Sequence, residues 1–173
     1  MAAMEKAKIK AVINLEDSEA EMNNNDTFPG SYYSTCSILN EQMGYDFSLP
    51  AFKDNVRDCV LFINDNDGPY LIHCKEGKDR SGALCALLEC YAGASYDEVL
   101  NDYMTTYINY YGVEPGSETY TTIQHSNFDK ILTTILGVSD PEASDLQSAA
   151  KDTLLSSGLT EVNLTAFQAK IMN

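Results

Sequence analysis

The stretch Tyr70–Tyr91 limits the fold more than any other part of the chain. Tyr70-Leu71-Ile72-His73 has the apolar run of a short buried strand, and Ser81–Tyr91 has the apolar content of a core-facing helix. Only a polar loop turning at Gly77 joins them. A strand that passes so directly into a helix implies an α/β layer, with the helix folded back over its own sheet.

The flanking sequence extends that pattern. Ile9–Leu15 reads as a buried strand through Ile9, Val12, Ile13 and Leu15, closed by the polar turn Asp17-Ser18-Glu19. Beyond the short polar loop Asn23-Asn24-Asn25-Asp26, Tyr32–Leu39 is expected as a second strand. Pro50 opens a helix whose face repeats Phe52, Val56, Cys59, Val60 and Ile63 at 3.6-residue spacing, and Asp65-Asn66-Asp67-Gly68-Pro69 ends it. Ser95 and Glu98 form a capping box for the next helix, with the stripe Val99, Leu100, Tyr103, Met104, Tyr107 and Tyr111 and a stop at Gly112. Asp140-Pro141 is expected to start a further helix ending at Gly158, and Thr160 to cap a last one through Leu164, Phe167 and Ile171. Strands and helices alternate, then helices follow alone. The expected class is α/β, a sheet flanked by helices with a helical C-terminal half. No repeat or dividing linker interrupts residues 1–173, which are expected to form one domain.

Charge narrows the partners. The chain carries 26 Asp+Glu against 11 Lys+Arg, a formal net charge of −15. This excludes a general nucleic-acid binder, which needs clustered Lys and Arg, and opposes docking on an anionic membrane. No apolar run approaches the ~18 residues needed to span a bilayer, so no stable membrane insertion is expected. Met1–Lys10 lacks the apolar centre of an export signal. The chain as it stands reads as soluble and cytoplasmic, with a secreted or lipid-anchored parent protein left open. Five cysteines (Cys36, Cys59, Cys74, Cys85, Cys90) without CxxC spacing suggest reduced thiols, and two histidines make no metal constellation. No metal and no cofactor are expected.

The chemistry concentrates in His73-Cys74-Lys75-Glu76-Gly77-Lys78-Asp79-Arg80-Ser81-Gly82. A short glycine-containing loop that feeds a helix N-terminus can aim several backbone N–H groups at one point, an anion nest reinforced by the helix dipole. Arg80 adds a planar fork suited to two phosphate oxygens. A cysteine facing that field becomes a thiolate near neutral pH, and beside a bound phosphate monoester it is a nucleophile placed for attack on phosphorus. Cys-x5-Arg occurs by chance in many chains, and cysteine is usually an inert apolar residue. Here, however, Lys75, Lys78 and Arg80 crowd into a strand–loop–helix in a chain poor in basic residues.

His-Cys-x-x-Gly-Lys-Asp-Arg-Ser-Gly resembles the signature of cysteine-dependent phosphatases. More narrowly, it is similar to the bacterial tyrosine phosphatase family related to secreted lipid and tyrosine phosphatases of pathogens. Lys8–Leu15 resembles that family's first long strand, Gly68–Gly112 its gut clostridial members in particular, and Ser157-Gly158-Leu159-Thr160-Glu161 their closing helical hairpin. The resemblance implies a tyrosine-phosphatase-like sheet and hydrolysis of phosphate monoesters through a cysteinyl-phosphate. It makes Cys74 the nucleophile. Arg80 and the Lys75, Glu76, Gly77, Lys78 and Gly82 segment would hold the phosphoryl group. Ser81 would hydrogen-bond the sulfur, and His73 would support the loop and help lower the thiol pKa.

The leaving oxygen also needs a proton. Many tyrosine phosphatases supply it from an aspartate in a mobile Trp-Pro-Asp loop, but this chain has no Trp. Asp79 inside the loop is the leading candidate by resemblance, with a structural salt bridge to Lys78 or Arg80 as its competing role. Asp46 and Asp54 are alternatives. Relatives normally carry several tens of residues before the first long strand, which implies a missing N-terminal segment. The expected substrate is a phosphotyrosine protein or peptide; a phosphoinositide is the alternative if Lys75 and Lys78 take a second phosphate. A non-catalytic phosphate-binding module and a sulfur-transfer or arsenate-reducing enzyme are the competing readings. Oligomeric state is left open. The tyrosine stripe, His125, Cys85 and Cys90 read as packing or surface residues, and Cys36 or Cys59 as conceivable disulfide partners of Cys74.

Overall fold

The computed structural model describes residues 2–24 and 33–171. Three parallel strands, β1 (Ala11–Asn14), β2 (Ser37–Asn40) and β3 (Tyr70–His73), form a sheet in the order β2-β1-β3. All four residues of β1 are buried, as expected for the centre of a sheet covered on both faces. Register places Ile13 beside Leu39 and Ile72, and Val12 beside Ile38 and Leu71. Alternation then separates two cores. Ile13 joins the large core, whereas Val12 packs with Met22 and Tyr33 on the opposite face. Met4 of α1 (Ala2–Lys6) and Met22 of α2 (Glu19–Asn24) cover that second face.

The large core is built by helices with a legible apolar face. In α3 (Pro50–Asp65), Pro50 occupies the first turn, where its missing N–H costs nothing. Phe52, Val56, Cys59, Val60 and Ile63 are buried, and Asn66 ends the helix by donating its side-chain amide to the Phe62 carbonyl at 2.8 Å. Helix α4 (Arg80–Ala92) leaves β3 through the polar loop and packs against α5 (Tyr96–Tyr111), α7 (Asp129–Leu136) and α8 (Leu146–Ser156). The Ser95–Glu98 capping box is formed in full at the start of α5. Helix α9 (Glu161–Ile171) closes the molecule against α3, with Thr160 Oγ1 accepting from the Asn163 N–H at its start.

Three expectations need correction. The second strand begins only at Ser37, because Tyr33 is helical and Ser34, Thr35 and Cys36 turn the chain; Tyr32 lies outside the described residues, as do Asn25 and Asp26. Asp140-Pro141 opens a turn rather than a helix. The helix starts at Leu146 instead, because the Asp145 side chain accepts from the Ser148 N–H at 3.0 Å. Tyr111 leaves the buried stripe of α5 and is exposed, whereas Val99, Leu100, Tyr103, Met104 and Tyr107 are buried. Between α5 and α8 the chain adds a segment that periodicity alone does not reveal. It comprises α6 (Glu118–Ile123), a π turn (Gln124–Phe128) and α7. Its ends were nonetheless marked, by the Ser117 side chain accepting from Tyr120 N–H and by Gly137 in the left-handed region.

Candidate active site

The site lies beyond the carboxyl ends of the strands, where α/β sheets place their ligands. Three loops meet there, one from each strand. Asn14, wholly buried at the end of β1, accepts the N–H groups of Glu16 (3.0 Å) and Asp17 (3.3 Å), and so turns the chain to present Glu16. Glu16 pairs with Arg80. The loop after β2 brings in Met43 and Tyr45, and the loop after β3 is the Cys74–Arg80 segment itself.

Cys74 is half-buried, with Sγ 3.4 Å from Ser81 Oγ. Burial by itself pushes the thiol pKa up. The Ser81 hydroxyl and the backbone N–H groups of Ser81, Glu76 and Gly77 outweigh that burial, leaving the thiol below its ordinary value. Gly77 makes the inward turn at φ 67°, a conformation that side-chain-bearing residues adopt at a cost. Gly82 serves packing more directly than ligand binding. A Cβ there would lie 2.9 Å from the Tyr103 ring, so its absence lets α4 and α5 approach closely.

Arg80 is 4% exposed and heavily engaged. Nη1 donates to the carbonyls of Leu15 (3.1 Å) and Met43 (3.5 Å). Nη2 donates to Glu16 and to the Tyr45 hydroxyl (2.7 Å), and the Tyr45 ring lies 4.3 Å from the guanidinium. Of the Arg80 nitrogens, Nε alone is buried without a partner. The expected open fork is therefore half-occupied: one N–H is free, and the next is held by Tyr45, itself 63% exposed.

His73 lies 3.1 Å through Nε2 from the Tyr33 hydroxyl. Burial holds its pKa below the ordinary value, against a hydrogen bond to the Cys74 backbone that acts the other way. It therefore supports the loop as a neutral side chain, not as a cation beside the thiol.

Helix α5 grips the loop from outside. Thr106 Oγ1 donates to the Gly77 carbonyl (2.8 Å) and the Tyr111 hydroxyl to Glu76 (2.8 Å). Lys78 lies 3.2 Å from Glu76 and 3.6 Å from Asp79, with its ammonium 5.8 Å and 5.5 Å from the Tyr107 and Tyr111 ring centres. Burial of Lys78 opposes its charge, but Glu76, Asp79 and the two tyrosines more than offset this and raise its pKa. Lys75 is exposed.

The candidate acids separate. Asp79 sits at the N-cap of α4 without capping it, and opens into a groove of about 370 Å³ that Tyr45, Asp46 and Phe47 also line. Asp46 shares the groove, but hydrogen bonds from the Ser48 hydroxyl and N–H hold it below the usual carboxylate range, so it is a poor proton donor. Asp54 pairs with Arg57 at 2.8 Å and does not line the groove.

A family profile described as a tyrosine phosphatase family matches residues 2–162. The chain belongs to the tyrosine phosphatase family. No curated protein gives a significant match to it. Family membership points the loop toward phosphate-ester hydrolysis, and the match spans the sheet, the loop and α4 to α8. Among the described residues, no helix is long and apolar enough to cross a membrane. Sequence reasoning missed Glu16, Tyr33, Tyr45, Thr106 and Tyr111. Glu16 alone had a signal, a carboxylate directly after a buried strand. The others reach the loop from distant positions.

Proposed function

We propose that this protein hydrolyses aryl phosphate monoesters, with phosphotyrosine in a protein or peptide as the substrate. The observation that carries the reading is the Cys74 thiol, made acidic by Ser81 and three backbone N–H groups beside a buried arginine with a free Nε–H. The phosphoryl oxygens sit on the loop N–H groups and on Arg80, whose second N–H becomes available when the exposed Tyr45 yields it. The Cys74 thiolate attacks phosphorus; the bond to the leaving oxygen breaks, and Asp79 supplies that oxygen with a proton. Water, deprotonated by Asp79, then attacks the cysteinyl-phosphate. Ser81 hydrogen-bonds the departing thiolate, and inorganic phosphate leaves. No redox change occurs.

The acidic Cys74 favours this over a non-catalytic module. A phosphoinositide bearing a second phosphate would need a free cation at the loop. Glu76 and Asp79 engage Lys78, which leaves exposed Lys75 as the one loop lysine for a second phosphate and weakens the two-lysine site that a phosphoinositide would use. The test is turnover of phenyl phosphate, phosphotyrosine, phosphoserine and a soluble phosphoinositide headgroup by the wild type and by Cys74→Ser. Loss of roughly a thousand-fold or more in the variant, with phosphotyrosine the best physiological ester, is expected. Equal turnover by both proteins, or none by either, overturns the reading.

A further inference from the structure

The groove that Asp79 opens into is also lined by residues outside the Cys74–Arg80 loop. Tyr45 is its link to the active site, since the same ring lies against the guanidinium. Phe47 and Ile131, both partly buried apolar side chains, line the groove together with Lys130. Its two rims differ in charge. Asp46 and Asp79 stand on the loop side; Lys130 stands on the helix side.

The helix wall has an unusual construction. Helices α6 and α7 are joined by the π turn, where the Asp129 N–H reaches back to the Gln124 carbonyl. The wide turn buries Phe128 completely while leaving Ser126 and Asn127 on the groove. It also sets the phase of α7, so that Leu132, Ile135 and Leu136 enter the core and Lys130, Ile131 and Thr134 face the groove. Single π turns are rare and recur at functional sites.

Lys130 is exposed and has no carboxylate within ion-pair distance among the described residues. Acidic residues outnumber basic ones 26 to 11, and of the loop's three cations Lys78 and Arg80 are already paired while exposed Lys75 does not line the groove. Lys130 is therefore a groove cation still free to meet an anion from outside the chain.

We propose that this groove binds the polypeptide flanking the phosphotyrosine, and that Lys130 selects an acidic residue next to it. The proposal rests on the phosphatase reading of the loop. With the phosphoryl group at Arg80, the aromatic ring runs over Tyr45, Phe47 and Ile131, and a neighbouring Asp or Glu carboxylate reaches Lys130. A basic flank meets Lys130 as a like charge and is disfavoured there.

The experiment compares two phosphotyrosyl peptides, one with glutamate flanks and one with lysine flanks, each ratioed to phenyl phosphate, in the wild type, Lys130→Gln and Lys130→Glu. An exposed charge pair has a modest value, so reversal should lower kcat/KM on the acidic peptide by roughly five-fold, mostly through KM. Lys130→Gln should fall between, and the lysine-flanked peptide should improve with Lys130→Glu. Equal effects on both peptides, or none, refute the assignment. So does sensitivity of a bisphosphorylated inositol headgroup to Lys130 when the peptides show none, which would assign the groove to a lipid substrate. Titration of the same peptides into Cys74→Ser and Cys74→Ser/Lys130→Glu reads the groove without turnover. If the wild type fails to hydrolyse phenyl phosphate, the catalytic reading falls, while the binding difference still decides the groove.

Discussion

The thiol of Cys74 is made acidic chiefly by neutral donors, the Ser81 hydroxyl and three backbone N–H groups, and this sets how it should respond to pH. Its pKa is lowered, so the thiolate is present above that pKa and is lost as pH falls through it. Activity should therefore decline on the acid side. Ser81→Ala removes the side-chain hydrogen bond and should move that limb to higher pH, read independently by the rate of iodoacetamide alkylation against pH. An unmoved alkylation profile would take the hydroxyl out of thiol activation. Asp79 makes a separate prediction. Asp79→Asn should slow esters with poor leaving groups by roughly 10²-fold and leave good ones nearly untouched, whereas a uniform loss would assign Asp79 to its Lys78 contact. Glu16 belongs to the same scale. Glu16→Gln leaves the buried Arg80 charge less compensated and should cost about 1–3 kcal/mol in a urea titration.

At the scale of elements, the loop is held between α4, which carries Ser81, and α5, which carries Thr106 and Tyr111. Their contacts end on Gly77 and Glu76, two of the residues whose N–H groups face the thiol. Loosening α5 from the loop should therefore reach Cys74 without touching substrate. Thr106→Val combined with Tyr111→Phe should raise the thiol pKa and shift the alkylation profile upward, with the fold retained. Stability changes alone, at an unshifted profile, would make the grip purely structural. The same grip explains Lys78: with Glu76 and the two tyrosine rings around it, it stabilises the loop in place of reaching outward. The elements themselves were mostly readable. Pro50, the Ser95–Glu98 box and Gly112 mark their helices because capping is a local chemistry of a few residues. Asp140-Pro141 misled for the same reason, since Asp145 offers a competing cap a few residues on.

For the molecule as a whole, charge and burial act through pH and salt. Glu89 on α4 is half-buried and close to Asp102 on α5, and burial first, then Asp102, pushes its pKa up to about 8. An acid with a raised folded pKa keeps its proton only in the native state. Stability from this group should fall as pH rises from the ordinary carboxylate value to about 8, then level off. Glu89→Gln should flatten that part of the curve, measured by urea midpoints at pH 5.5 and 8; an unchanged slope would place the titration elsewhere. The net charge of −15 adds a second effect. It slows the approach of anionic phosphopeptides over distances that salt screens, so kcat/KM should rise with added salt until the groove contacts are themselves screened.

The strand–loop–helix from Tyr70 to Tyr91, the acidity of the chain, the loop containing Cys74 and Arg80 and the main amphipathic helices were all determined locally. Periodicity, caps and motif spacing operate over a few residues, so one dimension suffices to read them. The arginine's true partners, the grip of α5 on the loop and the groove leading to Lys130 depend on which distant segments meet. Glu16 reaches Arg80 across 64 positions, Tyr45 across 35 and Tyr111 reaches Glu76 across 35. Only the packing of three loops at the ends of parallel strands, with α5 and α7 laid against them, brings those groups together, because each contact is chosen by the shared core beneath it and not by the sequence around it.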